Sequence, residues 1–232
     1  MCGRYTLTAL FDDIIAFFQL APDACPLLEP RYNIAPTQPV IAILETAARK
    51  RKQEFMLWGL IPSWSKDANS GAKLINARAE TLAEKPSFRS AFKRRRCLIP
   101  ASGFYEWQTV QKKKQPILIR PRDEKLFAFA GLWEDWNGPN GEALRSCAIV
   151  TTQANALMQP FHDRMPVILR QQDFAAWLNP ADENSAELEP LLVAFPPTAM
   201  HAIPVSNFVN AVKNEGPKCL EPVQHDLDLF CE

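Results

Sequence analysis

The sequence predicts an α+β fold: a single domain over residues 1–232, with a barrel-like or bifurcated, mainly antiparallel sheet surrounded by short helices. Three observations predict it. Eight short apolar, β-rich runs recur, at 39–44, 54–58, 96–99, 103–107, 116–120, 126–132, 144–151 and 166–169. Helical patterns fall between them irregularly, not in the strict alternation of a βαβ array. Twenty prolines and eight glycines in 232 residues cut the chain into short elements, with no internal repeat and no low-complexity linker. The tail 217–232 is the least defined part.

Taken in order, Thr8 is placed to cap a helix running to about Leu20, with Asp12 and Asp13 near its positive end. Phe11, Ile14, Ile15 and Phe18 recur at helical spacing and are expected to face the core. Asn76-Ala77-Arg78-Ala79-Glu80 follows a Gly/Lys loop and reads as a helix start. In Gly103-Phe104-Tyr105-Glu106-Trp107, period-2 alternation sets Phe104 and Glu106 on one face and Tyr105 and Trp107 on the other. Further short helices are expected near 87–93, 153–159, 171–178 and 184–194.

Apolar residues make up 47% and charged residues 22%, the composition of a globular chain. No apolar run is long enough to span a membrane, and the N-terminus leads into no signal-peptide core. Six cysteines and three histidines are dispersed, without Cys-x-x-Cys pairs or zinc-ligand spacing. The expectation is a reduced, cytoplasmic protein without a metal, monomeric by default. No Gly-rich phosphate loop follows a strand, so nucleotide-dependent chemistry lacks its usual signature and no cofactor is expected.

Net charge is zero, but it is unevenly placed. Residues 1–48 hold two basic residues against five acids, residues 49–122 eighteen against five, and residues 123–232 six against sixteen. Basic runs at 49–52, 94–96 and 112–114 lie among aromatic residues. Solvated turns explain any one of them. Together they suit a polyanion, above all a single nucleic-acid strand, which needs both charge and stacking surfaces.

The chemistry begins at Cys2. It precedes the small Gly3, a context in which the initiator Met is commonly removed. Removal leaves an α-amine and a thiol two carbons apart, with ordinary pKa values near ~8 and ~8.5. An aldehyde meeting that pair forms an imine with the amine and then closes a five-membered thiazolidine through sulfur. The plainer alternative is a small residue at a frayed terminus. Glu106, alone in an aromatic strand, is either an edge residue or a half-buried acid whose raised pKa suits proton transfer. His162 lies between Phe161 and Asp163-Arg164, which fits a surface turn as well as a working imidazole. Asn76 is able to hydrogen-bond a substrate, and Arg78 to hold a phosphate in its planar fork, though ordinary helix-start charges fit too. Of Trp58 and Trp64, one is expected in the core and the other free to stack on a base. His201 and His225 have no comparable neighbours and are read as structural.

The ordered set of segments resembles one family. The segments are Met1-Cys2-Gly3-Arg4, Arg31-Tyr32-Asn33-Ile34-Ala35-Pro36-Thr37, Trp58-Gly59-Leu60-Ile61-Pro62, Asn76-Ala77-Arg78-Ala79-Glu80-Thr81, 97–107, His162-Asp163-Arg164-Met165-Pro166-Val167 and Val212-Lys213-Asn214. Together, from residue 1 to about 216, they closely resemble the SRAP family of SOS-response-associated peptidase-like, abasic-site-processing proteins. Phe161 departs from the pattern, where an aliphatic residue is more usual, and the tail past 217 has no clear counterpart.

The resemblance implies a covalent trap for abasic sites in single-stranded DNA, with the freed Cys2 as nucleophile. It further implies catalytic assistance from Asn76, Glu106 and His162, phosphate contacts from Arg4, Arg78 and Arg164, stacking by Trp64 and a wedge at Pro36. Removal of Met1 by the chain itself and a weak strand-cleaving lyase activity are part of the same implication. Two other classes stay open on the residues alone: an N-terminal-nucleophile cysteine hydrolase, and a non-catalytic single-strand-binding module.

Overall fold

The structure, a computed structural model, describes residues 2–21, 29–46, 48–181 and 185–223. Its centre is a closed ring of five strands. The ring runs β3 (Pro39–Glu45), β4 (Arg51–Trp58), β10 (Ala143–Gln153), β9 (Phe127–Asn137), β6 (Arg96–Ala101) and back to β3. Every pairing in it is antiparallel except β4 with β10. Closure leaves the ring no free edge.

Beyond Ile149, β10 parts from β9. Its far end pairs with β11 (Arg164–Pro166) on one side, and β5 (Asn76–Arg78) runs parallel to it on the other. β12 (Ile168–Leu169) pairs in turn with β9. The predicted strand at 166–169 is therefore split into two pieces on different partners.

A second sheet has the order β13 (Met200–Pro204), β8 (Lys113–Pro121), β7 (Gly103–Val110), β1 (Tyr5–Leu7), β2 (Arg31–Ile34), all antiparallel. β7 follows β6 after Ser102 alone, so the chain passes directly from ring to sheet. Buried aromatics join the two layers. Tyr5 of β1 packs edge-on against Trp58 and Phe129 of the ring, with centroids 5.3 and 5.8 Å away. The alternation predicted for β7 holds: Phe104 packs in the main core, while Tyr105 and Trp107 join a smaller cluster with Val205, Val209 and Cys219.

The helices are α1 (Phe11–Phe18), α2 (Arg89–Arg94), α3 (Phe174–Leu178) and α4 (Ser185–Leu188), with several 3₁₀ turns. Three expectations fail. Thr8 does not cap α1; Leu10 holds that position with no side-chain bond, and the Thr8 N–H donates to Ser102 Oγ instead. The stretch 153–159 is not a helix. Gln153 still belongs to β10, and Asn155 closes a tight turn by accepting the Met158 N–H on both its carbonyl and its side chain, at 3.0 Å each. Residues 76–78 form a strand, and a 3₁₀ turn begins only at Ala79.

Candidate functional site

The site assembles where three separate strands end. β1 carries the N-terminus into the second sheet, and the Arg4 carbonyl accepts the Tyr105 N–H at 2.9 Å. This register brings the residues ahead of Arg4 alongside Glu106. Cys2 is fully buried. Its carbonyl accepts a 2.9 Å hydrogen bond from Asn76 Nδ2, so β5 holds the Cys2 end directly. The other amide atom, Asn76 Oδ1, is buried with no partner. A buried acceptor left open in this way is costly unless a ligand satisfies it.

β5 owes its position to the loop before it. Gly59, at φ +140°, and Gly71 pack backbone on backbone: a Cβ on Gly71 would lie 2.4 Å from the Gly59 carbonyl oxygen. The Trp58 indole N–H donates to the Ile75 carbonyl at 3.0 Å. Trp58 is thus the buried tryptophan, and Trp64 on the same loop is 65% exposed.

The electrostatics follow from burial. Glu106 is buried, and its pKa is pushed up from 4.5 to about 7, chiefly by desolvation and further by the nearby Asp163 carboxylate. Of the two possibilities the sequence left open, an edge residue facing water or a half-buried acid, the structure has the buried one. Burial also pushes the Cys2 thiol far up, and the Glu106 carboxylate adds to this. The thiol is therefore neutral at rest and needs a base to become a nucleophile.

His162 closes the site from the turn after β10. Its backbone N–H is held by the Met158 carbonyl at 3.0 Å. Partial burial lowers its pKa below 6.5, so the imidazole is mostly neutral at pH 7. Nδ1 lies 2.9 Å from the Arg164 backbone N–H and 2.7 Å from Asp163 Oδ1. One nitrogen does not serve both: it accepts from Arg164 when neutral and donates to Asp163 when protonated. The neutral arrangement, with the proton on Nε2, fits the lowered pKa. Asp163 is 85% exposed and contributes little to holding the ring.

The other predicted residues are less alike than their motif suggested. Arg78 is exposed, and its side chain makes no hydrogen bond or ion pair among the described residues. Arg4 is half-buried and acts as a strut: Nη1 donates to Asn33 Oδ1 at 2.7 Å and to the Val209 carbonyl at 3.0 Å, and the guanidinium lies 5.5 Å from the centre of the Trp107 ring. Pro36 is partly exposed in a turn where Thr37 adopts φ +66° and donates its N–H to the Trp58 carbonyl. Arg164 places Nη1 and Nη2 on the two Glu80 oxygens at 2.7 and 2.8 Å, and Nη2 also on the Thr151 carbonyl at 2.6 Å. Sequence reasoning had no role for Glu80, whose partner Arg164 lies across the fold, and named Asp163 only as a neighbour of His162.

Of the basic runs, 49–52 and 94–96 are largely taken up within the fold. Arg49 pairs with Glu45, Lys52 with Glu54 and Arg95 with Glu134, while Arg51 donates to the Phe18 carbonyl. Arg96 is buried, donating to the carbonyls of Phe92, Lys93, Trp177 and Asn179.

These features define a barrel protein with a buried N-terminal cysteine set beside a near-neutral carboxyl group. A family model described as "SOS response associated peptidase (SRAP)" matches residues 1–212, and the chain belongs to that family. It is 46% identical over 225 residues to the abasic site processing protein YoqW of Bacillus subtilis, covering 95% of this chain and 99% of that one. It is 32% identical to the abasic site processing protein HMCES of Xenopus tropicalis, covering 84% of this chain and 67% of that one. A crystal structure of a protein from Bacteroides thetaiotaomicron superposes with a TM-score of 0.85 at 28% identity, covering 96% of this chain and all of that one.

Proposed function

We propose that this protein processes abasic sites in single-stranded DNA by bonding covalently to them through Cys2, after Met1 is removed. The observation that carries the reading is the Cys2 end held by Asn76 next to a carboxyl group that titrates at about 7. The names of the relatives agree with it.

The ring-opened sugar presents an aldehyde at C1′. The Cys2 amine adds to that carbon, and the carbinolamine loses water to give the imine. Protonated Glu106 gives the leaving hydroxyl its proton. The carboxylate that results takes the thiol proton as sulfur adds to the imine carbon, and the nitrogen becomes a neutral amine in the thiazolidine. A group half-protonated at neutral pH is suited to both transfers. Neutral His162 gives the sugar oxygens a hydrogen bond from Nε2–H, and where a proton must be delivered it is the protonated ring, with Nδ1–H on Asp163, that gives up its Nε2 proton. Asn76 holds the Cys2 carbonyl with Nδ2, leaving Oδ1 to accept from the amine or a sugar hydroxyl. Arg78 and the remaining Nη1 hydrogen of Arg164 take flanking phosphates, Arg4 braces the strand that carries Cys2, Trp64 stacks on a base and Pro36 wedges the strand.

In the autopeptidase step, the Cys2 thiol attacks the Met1 carbonyl and its proton passes to the departing nitrogen. The Met1–Cys2 amide breaks to leave a thioester and a free Cys2 amine, and water hydrolyses the thioester to release methionine and restore the thiol. In the lyase step, a base removes the C2′ proton of the imine and the 3′ phosphate leaves; closure of the thiazolidine competes with that loss.

Abasic and intact oligonucleotides, incubated with the protein and run on a denaturing gel, test the reading. A shifted band that requires the abasic site is expected. Cys2→Ala is expected to lose the heat-stable adduct while keeping an imine that borohydride traps; Cys2→Ser should behave similarly. A heat-stable adduct of normal yield from Cys2→Ala overturns the mechanism. A non-catalytic binder gives no adduct, and an amide hydrolase gives turnover of small amides instead.

A further inference from the structure

We propose that Glu80 is a positioning residue of this site: by clamping the Arg164 guanidinium it fixes the His162 turn against the strand that carries Asn76. The proposal rests on the abasic-site reading for its catalytic consequence, but not for its structural one.

The geometry is a bridge between two chain segments that are distant in sequence. Glu80 lies in the 3₁₀ turn directly after β5, four residues past Asn76. Arg164 opens β11, two residues past His162. The pair is bidentate at 2.7 and 2.8 Å, which fixes the plane of the fork as well as its distance. Nη2 is then completed by the Thr151 carbonyl of β10, the strand that lies between the two segments and pairs with both. The Arg164 side chain is only 12% exposed, and its Nε is buried with no partner. A side chain so enclosed has few alternative placements once the carboxylate holds it.

The bridge reaches the reacting groups through two further contacts. The Arg164 backbone N–H donates to His162 Nδ1, and Asn76 donates to the Cys2 carbonyl. Glu80 therefore stands behind both the imidazole and the nucleophile without touching either. Its own pKa is lowered, chiefly by the Arg164 hydrogen bonds, so the carboxylate is present throughout the neutral range. The charged groups that act on His162 are Asp163, Arg164 and the chain's own amine. Glu80 offsets the Arg164 charge. Without it, Arg164 lowers the His162 pKa further, and the ring loses its fixed neighbour.

The test is an NMR titration of the His162 ring in the DNA-free protein, paired with single-turnover crosslinking at saturating abasic oligonucleotide. Glu80→Gln keeps the shape but not the charge, and Glu80→Asp keeps the charge. Glu80→Gln is expected to move the His162 midpoint to lower pH and to slow saturated crosslinking or its reversal by about 10–100-fold, the scale of a misplacement near one ångström. The half-saturating oligonucleotide concentration should change much less. Glu80→Asp is expected to recover most of the titration midpoint. A Glu80→Gln protein with wild-type titration and wild-type saturated rate overturns the proposal, even if its melting temperature falls. Should Glu80→Gln fail to fold, Arg164→Lys, which keeps the charge and removes the fork, is expected to slow the same step and is judged by the same two readouts. If the wild type forms no crosslink, the abasic-site reading fails, and the titration alone still decides whether Glu80 sets His162.

Discussion

A carboxyl group that titrates near neutrality inside a protein destabilises the fold when it ionises. Glu106 ionises at 4.5 in its ordinary state and at about 7 in place. The folded state thus binds the proton more tightly than the unfolded state. Stability is lost as pH rises from about 4.5 to 7 and is flat above. The difference corresponds to roughly 3 kcal/mol at pH 8. Glu106→Gln has no such titration, so its melting temperature should exceed that of the wild type above pH 7 and the gap should close toward pH 4.5. Crosslinking should respond oppositely: the wild-type rate rises through about pH 7 where thiol deprotonation limits, and the variant is slow with no inflection there. Melting curves across pH, with single-turnover rates at the same values, check both. A variant that melts like the wild type at every pH would place Glu106 in a wetter setting than the structure gives it. At this scale the sequence was informative about identity and silent about environment. Glu106 stood out as a lone acid among aromatics, but its burial depends on β1 crossing beside β7, which no local pattern shows. Asp163 was visible only as a neighbour of His162, and Glu80, whose partner is 84 positions away, carried no local signal of its role.

At the scale of elements, the site depends on how β5 is delivered. Three residues cannot hold a strand alone, and β5 is kept in place by its parallel pairing with β10 and by the glycine contact behind it. Gly71→Ala puts a methyl 2.4 Å from the Gly59 carbonyl oxygen and 2.9 Å from Ile61 Cγ1. Backbone must move, and the expected cost is about 1–3 kcal/mol. Because the loop leads straight into β5, crosslinking should fall at pH and oligonucleotide concentrations where the protein is still folded. Thermal melts and crosslinking below the melting range separate the two effects; normal crosslinking in a destabilised protein would mean that β5 is held by β10 alone. The ring strands were legible because each holds a β-rich run of four residues or more. β1, β2, β5 and β13 were not read as strands, since each is short and relies on partners far along the chain. The Thr8 cap failed for a similar reason: Ser102, far away in sequence, accepts the Thr8 N–H, and α1 begins after Leu10 with no side-chain cap.

For the molecule as a whole, charge counted along the chain differs from charge offered to a ligand. The middle third looks strongly basic, yet Arg96 is buried against carbonyls and Arg49, Lys52 and Arg95 face carboxylates. The phosphate contacts proposed are two, Arg78 and Arg164, so binding of intact single strands should weaken with salt at a log–log slope of roughly −1.4. Arg78→Ala should make that slope shallower by roughly 0.7, one contact's share. Affinity measured across a salt series decides it, and a slope several times steeper would mean that the runs at 85–96 and 112–114 also reach the strand.

The burial of Cys2 also sets a timetable. β1 pairs with β2 early but is enclosed on its other side only when β7 is available, so Cys2 stays accessible on the nascent chain until synthesis has passed position 110. At ~5–20 residues per second, that interval is roughly 5–20 s. On the proposed reading, a methionine-trimming enzyme has only this window. Any chain that folds with Met1 still attached must complete its own maturation from within, using the same thiol and carboxyl pair that later meets the damaged strand.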